Sequence, residues 1–556
     1  MNCAHLIPKL WVCLKEGYSF AILRKDLAAG LTVSIIALPL AMALAIASGA
    51  APERGLYTAI VAGFLTSLLG GSRFQIGGPT GAFVVIVYDV ISRFGYDGLV
   101  LATLMAGAML VVGGLLKVGA LIRFIPYPVV TGFTAGIAVV LFTGQLQPLL
   151  GMDMNTLPAD FLQRCALYGR HWQSIHWVTA VLGLGTLLIV LLLQHYAVPI
   201  PSFLLAMVIG GIIVWIFGLP IETIGSKFGA VPKTLSPPQW PPITLSRLLE
   251  LLPSAFTIAF LAGIESLLSA MIADGMTGYR HRSDAELIAQ GIANIASVSF
   301  GGIPATGAIA RTITNVRSGA KTPLAGISHA LFLLVFMWGL SSFILWIPLA
   351  SLAAVMSVVA WNMSEVRHFR YLMSSTKSDR AILIITFVMT ILVDLTVAIQ
   401  VGMILTAFLF MKRMNDVTEI QTGANILRMP DEDTTTLPPE LPPGVEAFQI
   451  NGPFFFSVAS RLKDELGKIH SIPKVFILLM RHVPAMDATA AHTLSGFIHK
   501  CRQQGTHVIL AAVQKQPLQV MKQMGLAHLI DKENFVASAA AAIQRSKILL
   551  DIQRKT

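Results

Sequence analysis

SFGGIPATGAIARTITN, residues 299–315, is the stretch whose reading decides the fold. It lies among long apolar runs, yet it opens on glycines and a proline and carries an arginine. A helix surrounded by lipid cannot open that way, because its freed backbone groups find no water to bond. An earlier stretch, GGSRFQIGGPTGAF at 70–83, shares its sparse pattern. Gly77-Gly78-Pro79-Thr80-Gly81-Ala82 matches Gly301-Gly302, Pro304 and Thr306-Gly307-Ala308. Paired interrupted helices in corresponding halves of an apolar chain mark the binding site of a secondary transporter.

Composition agrees. Hydrophobic residues make up 55% of the chain and charged residues only 12%, and the mean hydropathy is +0.72, far from a soluble protein of this length. The net charge of +11 fits basic cytoplasmic loops, and no nucleic-acid motif accompanies it. Cys3, Cys13, Cys165 and Cys501 are scattered without metal or disulfide spacing and read as thiols. No Walker loop, GxSxG or HExxH occurs, so no enzyme class, cofactor or metal is indicated. Lys9, Lys15, Arg24 and Lys25 before the first span place the N-terminus in the cytoplasm.

Working outward, the apolar runs give fourteen spans, with twelve or thirteen as the alternative counts where short spans blur. A cytoplasmic segment, 1–26, precedes the first span at 27–47, which holds Pro39 in its middle. The third span, 79–91, is short and starts at Pro79. Spans up to the seventh, at 203–216, make a first repeat of about 27–230, closed by the proline-rich VPKTLSPPQWP. The second repeat, about 245–414, holds Glu265 in span eight, starts span ten at about 305, and places Asp394 in the bend of its last pair. Seven spans per half require the halves to be inverted. Residues 415–443 read as a linker, and 444–556 as a soluble α/β domain with strands at 445–450, 475–480 and 508–513. Helix-like stretches at 457–469, 488–504, 517–524 and 537–550 imply crossovers on a mainly parallel sheet.

The candidate site follows from chemistry. Free N–H groups at a helix start, together with its dipole, hold anions. Pro79, Thr80, Gly81 and Ala82 would start one such helix and Thr306, Gly307 and Ala308 a second, with Thr80 and Thr306 adding hydroxyl donors. Arg311, about two turns beyond Pro304, needs a partner or water at that depth. It would either attract the substrate anion or pair with Glu265. Glu265 would carry a proton or help to ligate sodium, with Ser269, one turn on, contributing an oxygen.

These residues resemble the SulP (sulfate permease) family of anion carriers. The likeness rests on ALPLAMALAIASGAAPERGLYTA (37–59), GGSRFQIGGPTGAF, IESLLSAMIADGMTG around Glu265, and FGGIPATGAIART, in that order, and the C-terminal part looks like a STAS domain. The resemblance implies gate and core domains moving as an elevator, a homodimer in a bacterial inner membrane with both termini cytoplasmic, and a STAS domain open to a cytoplasmic protein partner. It also implies that the anion binds between the third and tenth helix starts, with Arg311 and Glu265 at the family's tenth-helix arginine and eighth-helix acid. Segments such as GIESLL, DGMTG and AWNMSE are similar to a bacterial C4-dicarboxylate carrier, which implies proton-coupled uptake of succinate, fumarate or aspartate. Sodium- or proton-coupled bicarbonate or sulfate transport, or a signalling role for the STAS domain, are the alternatives. Leu40 and Leu44 stand where many members have Gln and Tyr, which weighs against sulfate. Ala308 and Ala310 replace serines of some animal relatives, and Asp487-Ala488 replaces the Asp-Ser of phosphorylated anti-sigma antagonists.

Overall fold

The computed structural model describes residues 6–120, 126–154, 158, 160–196, 201–230, 232–238, 240–393, 395–422, 441–455, 458 and 473–555. Asp394, the acidic and threonine-rich part of the expected linker, and all of the expected helix 457–469 except Val458 lie outside them. The chain divides into two units, Met1–Leu405 and Thr406–Thr556.

The first unit is helical. After α1 (Lys9–Lys15) come α2 (Phe20–Ala47) and α3 (Pro52–Leu69). The two-residue strand β1 (Gly77–Gly78) leads into α4 (Gly81–Leu115). Gly95, at φ +70°, breaks α4 and so makes the expected third and fourth spans from one run. α5 (Tyr127–Leu150), α6 (Phe161–Arg170), α7 (Trp177–His195), α8 (Ser202–Phe217) and α9 (Ile224–Phe228) complete the first half. The second half contains α10 (Leu245–Thr277), α11 (Ser283–Ser299), β2 (Thr306–Gly307), α12 (Ile309–Arg317) and α13 (Leu324–Ile344). It closes with α14 (Leu349–Met363), α15 (Val366–Met373), α16 (Lys377–Leu392) and α17 (Leu395–Val417). Counting α4 twice and leaving out α1, α6, α9 and α15, these helices match the fourteen expected spans, seven in each half. Eight of the described helices are long and apolar enough to cross a membrane alone.

Two packed sets emerge. α2, α3 and α4 pack chiefly on α10, α11, α12 and α13, whereas α5, α7 and α8 pack with α14 and α16. Two buried carboxylates brace the first set. Glu286 of α11 accepts hydrogen bonds from the backbone N–H groups of Gly71 (2.8 Å) and Ser72 (3.1 Å), in the loop that runs into β1. Asp26 accepts from the N–H groups of Lys321 and Thr322, the Thr322 hydroxyl and the Tyr18 hydroxyl, and so holds the approach to α13. The segment 1–26 is therefore not all outside the bundle: Asp26 is fully buried within α2. Replacing Glu286 by Leu strands two buried N–H donors. We expect this to cost about 3 kcal/mol, read as a clear fall in the thermal unfolding midpoint of the purified protein. An unchanged midpoint would show that the brace contributes nothing.

The second unit is an α/β sheet in the order β3 (Glu419–Thr422), β4 (Val445–Asn451), β5 (Val475–His482), β6 (His507–Ala511) and β7 (Phe535–Val536). β4 to β7 pair in parallel, as strand–helix alternation requires. β3 pairs antiparallel with β4, so Glu419–Thr422 belong to the sheet and not to a linker. Alternation sorts the side chains of the sheet. Phe448, Phe476, Leu478 and Leu510 face a core shared with Leu494 and Ile498 of α18 (Ala488–Gln503), and Ala447, Ile477, Leu479 and Ile509 face Ala542 and Leu549 of α20 (Ala539–Lys555). Between them α19 (Lys515–Gln523) follows β6. Asp487 caps α18 by accepting from the Ala490 N–H at 2.7 Å.

Candidate anion site at the helix crossing

The site is built on non-helical backbone, which requires side-chain partners inside a bundle. Those partners come from neighbouring helices. Asn294 of α11 accepts from the Ala305 N–H and donates to the Ala305 carbonyl, both at 2.8 Å. Thr58 of α3 accepts from the Ile303 N–H at 2.7 Å, and Ser297 donates to the Ile303 carbonyl at 2.8 Å. On the other arm the Ile76 N–H donates to the Thr312 hydroxyl (3.1 Å), and Asn315 donates to the Phe74 carbonyl (2.9 Å).

So held, β1 and β2 pair antiparallel, Gly77 opposite Gly307 and Gly78 opposite Thr306. The pairing sets the starts of α4 and α12 beside each other, with the helices leaving in opposite directions. Thr80 is the N-cap residue of α4 and Ala308 that of α12, and no side chain caps either start. The first-turn N–H groups, those of Gly81 and Ala82 among them, therefore face out from the helix ends, and both dipoles point their positive ends at one place.

The predicted residues are brought together, but several serve the scaffold. Thr306 and Gly307 lie in β2 rather than at a helix start. The Thr306 hydroxyl donates to the Ala262 carbonyl (3.1 Å) and shares a 2.8 Å hydrogen bond with Ser266, and the Gly307 N–H donates to the Ser266 hydroxyl at 2.9 Å. Thr306 is thus consumed in fixing the crossing to α10. Thr80 donates its hydroxyl to Glu265 Oε2 at 3.0 Å. Ser269 is fully buried and donates to Thr312 at 3.0 Å, so it supports β1 through Thr312.

Arg311 does not pair with Glu265. It is 2% exposed, and its Nη2 donates to the Pro79 carbonyl at 3.3 Å. Its Nη1 is buried with no hydrogen-bond partner among the described residues. That nitrogen occupies the space a Cβ on Gly78 would need, and Gly78 has φ +154°, so only glycine admits the guanidinium here. Gly78→Ala should push Arg311 out of register and weaken anion binding roughly tenfold or more. A ligand-induced thermal-shift titration measures this, and an unaltered midpoint concentration counts against the contact.

The second helical set closes over the tips. A Cβ on Gly81 would meet Met363 Sδ at 3.0 Å and Leu141 Cδ2 at 3.6 Å. One turn along α4, Val84 and Leu141 form part of the lining of a cavity of about 590 Å³, which also reaches Tyr88 and Gly144. Both are themselves buried apolar residues. Sequence reasoning passed over His329 of α13. It is fully buried beside Gly63, and neither ring nitrogen has a partner among the described residues. A lone histidine in the apolar run 323–361 was the available signal.

Residues 23–386 match the Sulfate permease family and residues 438–542 the STAS domain. The chain is 39% identical over 531 residues to the putative sulfate transporter YvdB of Bacillus subtilis, covering 94% of this chain and 97% of the relative. It is 29% identical over 563 residues to the bicarbonate transporter BicA of a Picosynechococcus species, covering 95% of each. Among solved structures, the transmembrane domain of a cyanobacterial BicA matches with a TM-score of 0.63 at 30% identity, over 69% of this chain and 98% of that one. SLC26A9 matches with a TM-score of 0.86 over 99% of this chain and 94% of that one; at 16% identity this speaks for the fold alone. The chain belongs to the sulfate permease family, as a multi-pass membrane anion transporter with a C-terminal STAS domain, and is not an enzyme.

Proposed function

We propose that the chain is a secondary carrier in which one carboxylate group of the substrate rests on the tips of α4 and α12 beside Arg311, while Glu265 takes the coupling proton. The observation that carries this reading is the buried Arg311 Nη1, which has no hydrogen-bond partner among the described residues and lies next to two uncapped helix starts. Glu265 supports the coupling half. Its hydrogen bond runs to the neutral hydroxyl of Thr80, so protonation breaks no ion pair. The substrate implied by the resemblance to a C4-dicarboxylate carrier is succinate, fumarate or aspartate. The relatives named as bicarbonate transporters favour a second reading, bicarbonate, and those named as putative sulfate transporters a third, with sodium an alternative to the proton. The homodimer, the cytoplasmic termini and the elevator motion belong to the same proposal.

The test is uptake of labelled succinate, bicarbonate and sulfate into proteoliposomes under an imposed pH or sodium gradient. Succinate accumulation that needs the pH gradient supports the first reading. Accumulation of bicarbonate or sulfate alone moves the assignment to that ion. Accumulation of none of the three removes the proposal.

A further inference from the structure

One end of the helical unit carries a surface that the helix crossing does not explain. α1 turns Leu10 and Cys13 inward, where both are buried. On its other side Ile7, Trp11 and Leu14 are 44%, 60% and 43% exposed. Trp11 and Leu14, three residues apart, share one face of α1, and Ile7 lies just before its N-cap residue Pro8. Further exposed apolar residues, Phe20, Leu27 and Leu31, lie on α2, where a bilayer must cover them in a membrane transporter.

Polar contacts fix α1 to the bundle. The Lys9 N–H donates to the Gly70 carbonyl at 2.9 Å, Arg282 donates to the Ile7 carbonyl at 2.6 Å, and Arg73 pairs with Glu16 at 2.6 Å. These contacts gather Lys9, Arg73 and Arg282, with Glu16 as the carboxylate on Arg73. Asp274, the other nearby acid, is committed to His281 at 2.7 Å. Burial, and then the positive charges of Arg282 and Arg73, hold the Lys9 ammonium below its ordinary pKa. A bound anion would relieve that crowding. The Arg73 side chain is 9% exposed and stacked 4.1 Å over the Tyr279 ring, and its Nε is buried without an acceptor among the described residues. Lys15, Arg24 and Lys25 are exposed around the same corner.

We propose that α1 is a docking element for anionic phospholipid: Ile7, Trp11 and Leu14 enter the headgroup layer, and the cluster of Lys9, Arg73 and Arg282 takes the lipid phosphate. Exposed apolar residues on α1 and, after four intervening residues, on α2 select a lipid over a soluble phosphate, and the excess of cations selects an anionic lipid. Because α1 holds the loop into β1 through Gly70 and Arg73, the bound lipid would grip the helical set that carries the anion site.

The full-length protein is placed in nanodiscs of phosphatidylcholine, alone or mixed with phosphatidylglycerol, with bromine on the acyl chains. The signal of interest is the tryptophan fluorescence lost in Trp11→Phe. We expect bromine to quench it, more strongly with phosphatidylglycerol present. We also expect the double variant Lys9→Gln/Lys15→Gln to retain roughly tenfold less phosphatidylglycerol through detergent washing. A Trp11 signal indifferent to bromine overturns the proposal, as does equal phosphatidylglycerol retention by the double variant. Protection of the washed protein by inorganic phosphate equal to that by phosphatidylglycerol would reassign the cluster to a soluble anion.

Discussion

Glu265→Gln should abolish accumulation driven by a pH gradient while leaving anion exchange across the membrane measurable. Glutamine keeps the size of the side chain and still presents a carbonyl oxygen to the Thr80 hydroxyl, so the start of α4 stays as it is. What it removes is the ability to gain and lose a proton. In the wild type, uptake should rise as the outside is acidified, because the loaded carrier then crosses with an added proton. In the variant the initial rate should be flat with pH and the steady-state ratio should fall to that of exchange. The loss is of the whole gradient-driven component, not a fraction of it. Proteoliposome uptake at several external pH values reads both quantities. A Glu265→Gln protein that still accumulates substrate against its gradient would place the coupling elsewhere, with His329 the next buried titratable group to examine.

Arg311→Ala should raise the dissociation constant for the anion roughly a hundredfold, since a charge-assisted hydrogen bond in a dry site is worth up to about 3 kcal/mol. The thermal midpoint without anion should change little or rise, because the variant also removes a buried cation that has no ion-pair partner among the described residues. Arg311→Lys should recover only part of the affinity, as one ammonium cannot serve both the Pro79 carbonyl and an anion in the fork geometry of a guanidinium. Calorimetric titration separates the cases. If the variant binds normally but unfolds early, the arginine is a brace for Pro79 and the anion assignment fails.

The placement of the helices was readable because its signals are local. Apolar run length located the spans, and the Gly-Gly-Pro punctuation located both arms of the crossing. What escaped depends on contacts between distant residues. Nothing near Thr306 says that Ser266 and the Ala262 carbonyl will occupy its hydroxyl, or that Asn294 will satisfy Ala305 and so turn the expected helix start into a strand. Ser269 looks like a neighbour of Glu265 at helical spacing, yet Thr312 on α12 claims it. Asp26 was hidden by the Arg24-Lys25 pair before it, which reads as an interface, although an acid that leads directly into a mostly apolar run is itself a warning of burial. Glu286 was masked in the same way by the polar start of α11. Strand β3 is four residues long and carries no alternation strong enough to separate it from the linker composition after it.

The rung between β1 and β2 also bears on how the protein is made. It joins backbone of two arms whose contacting residues, Pro79 and Arg311, are 232 positions apart, and neither arm can satisfy its polar groups alone. At typical synthesis rates the second arm reaches the translocon on the order of ten seconds or more after the first. During that interval the Gly77–Gly78 segment lacks its pairing partner, and the first arm stays incompletely bonded until Thr306 and Gly307 emerge.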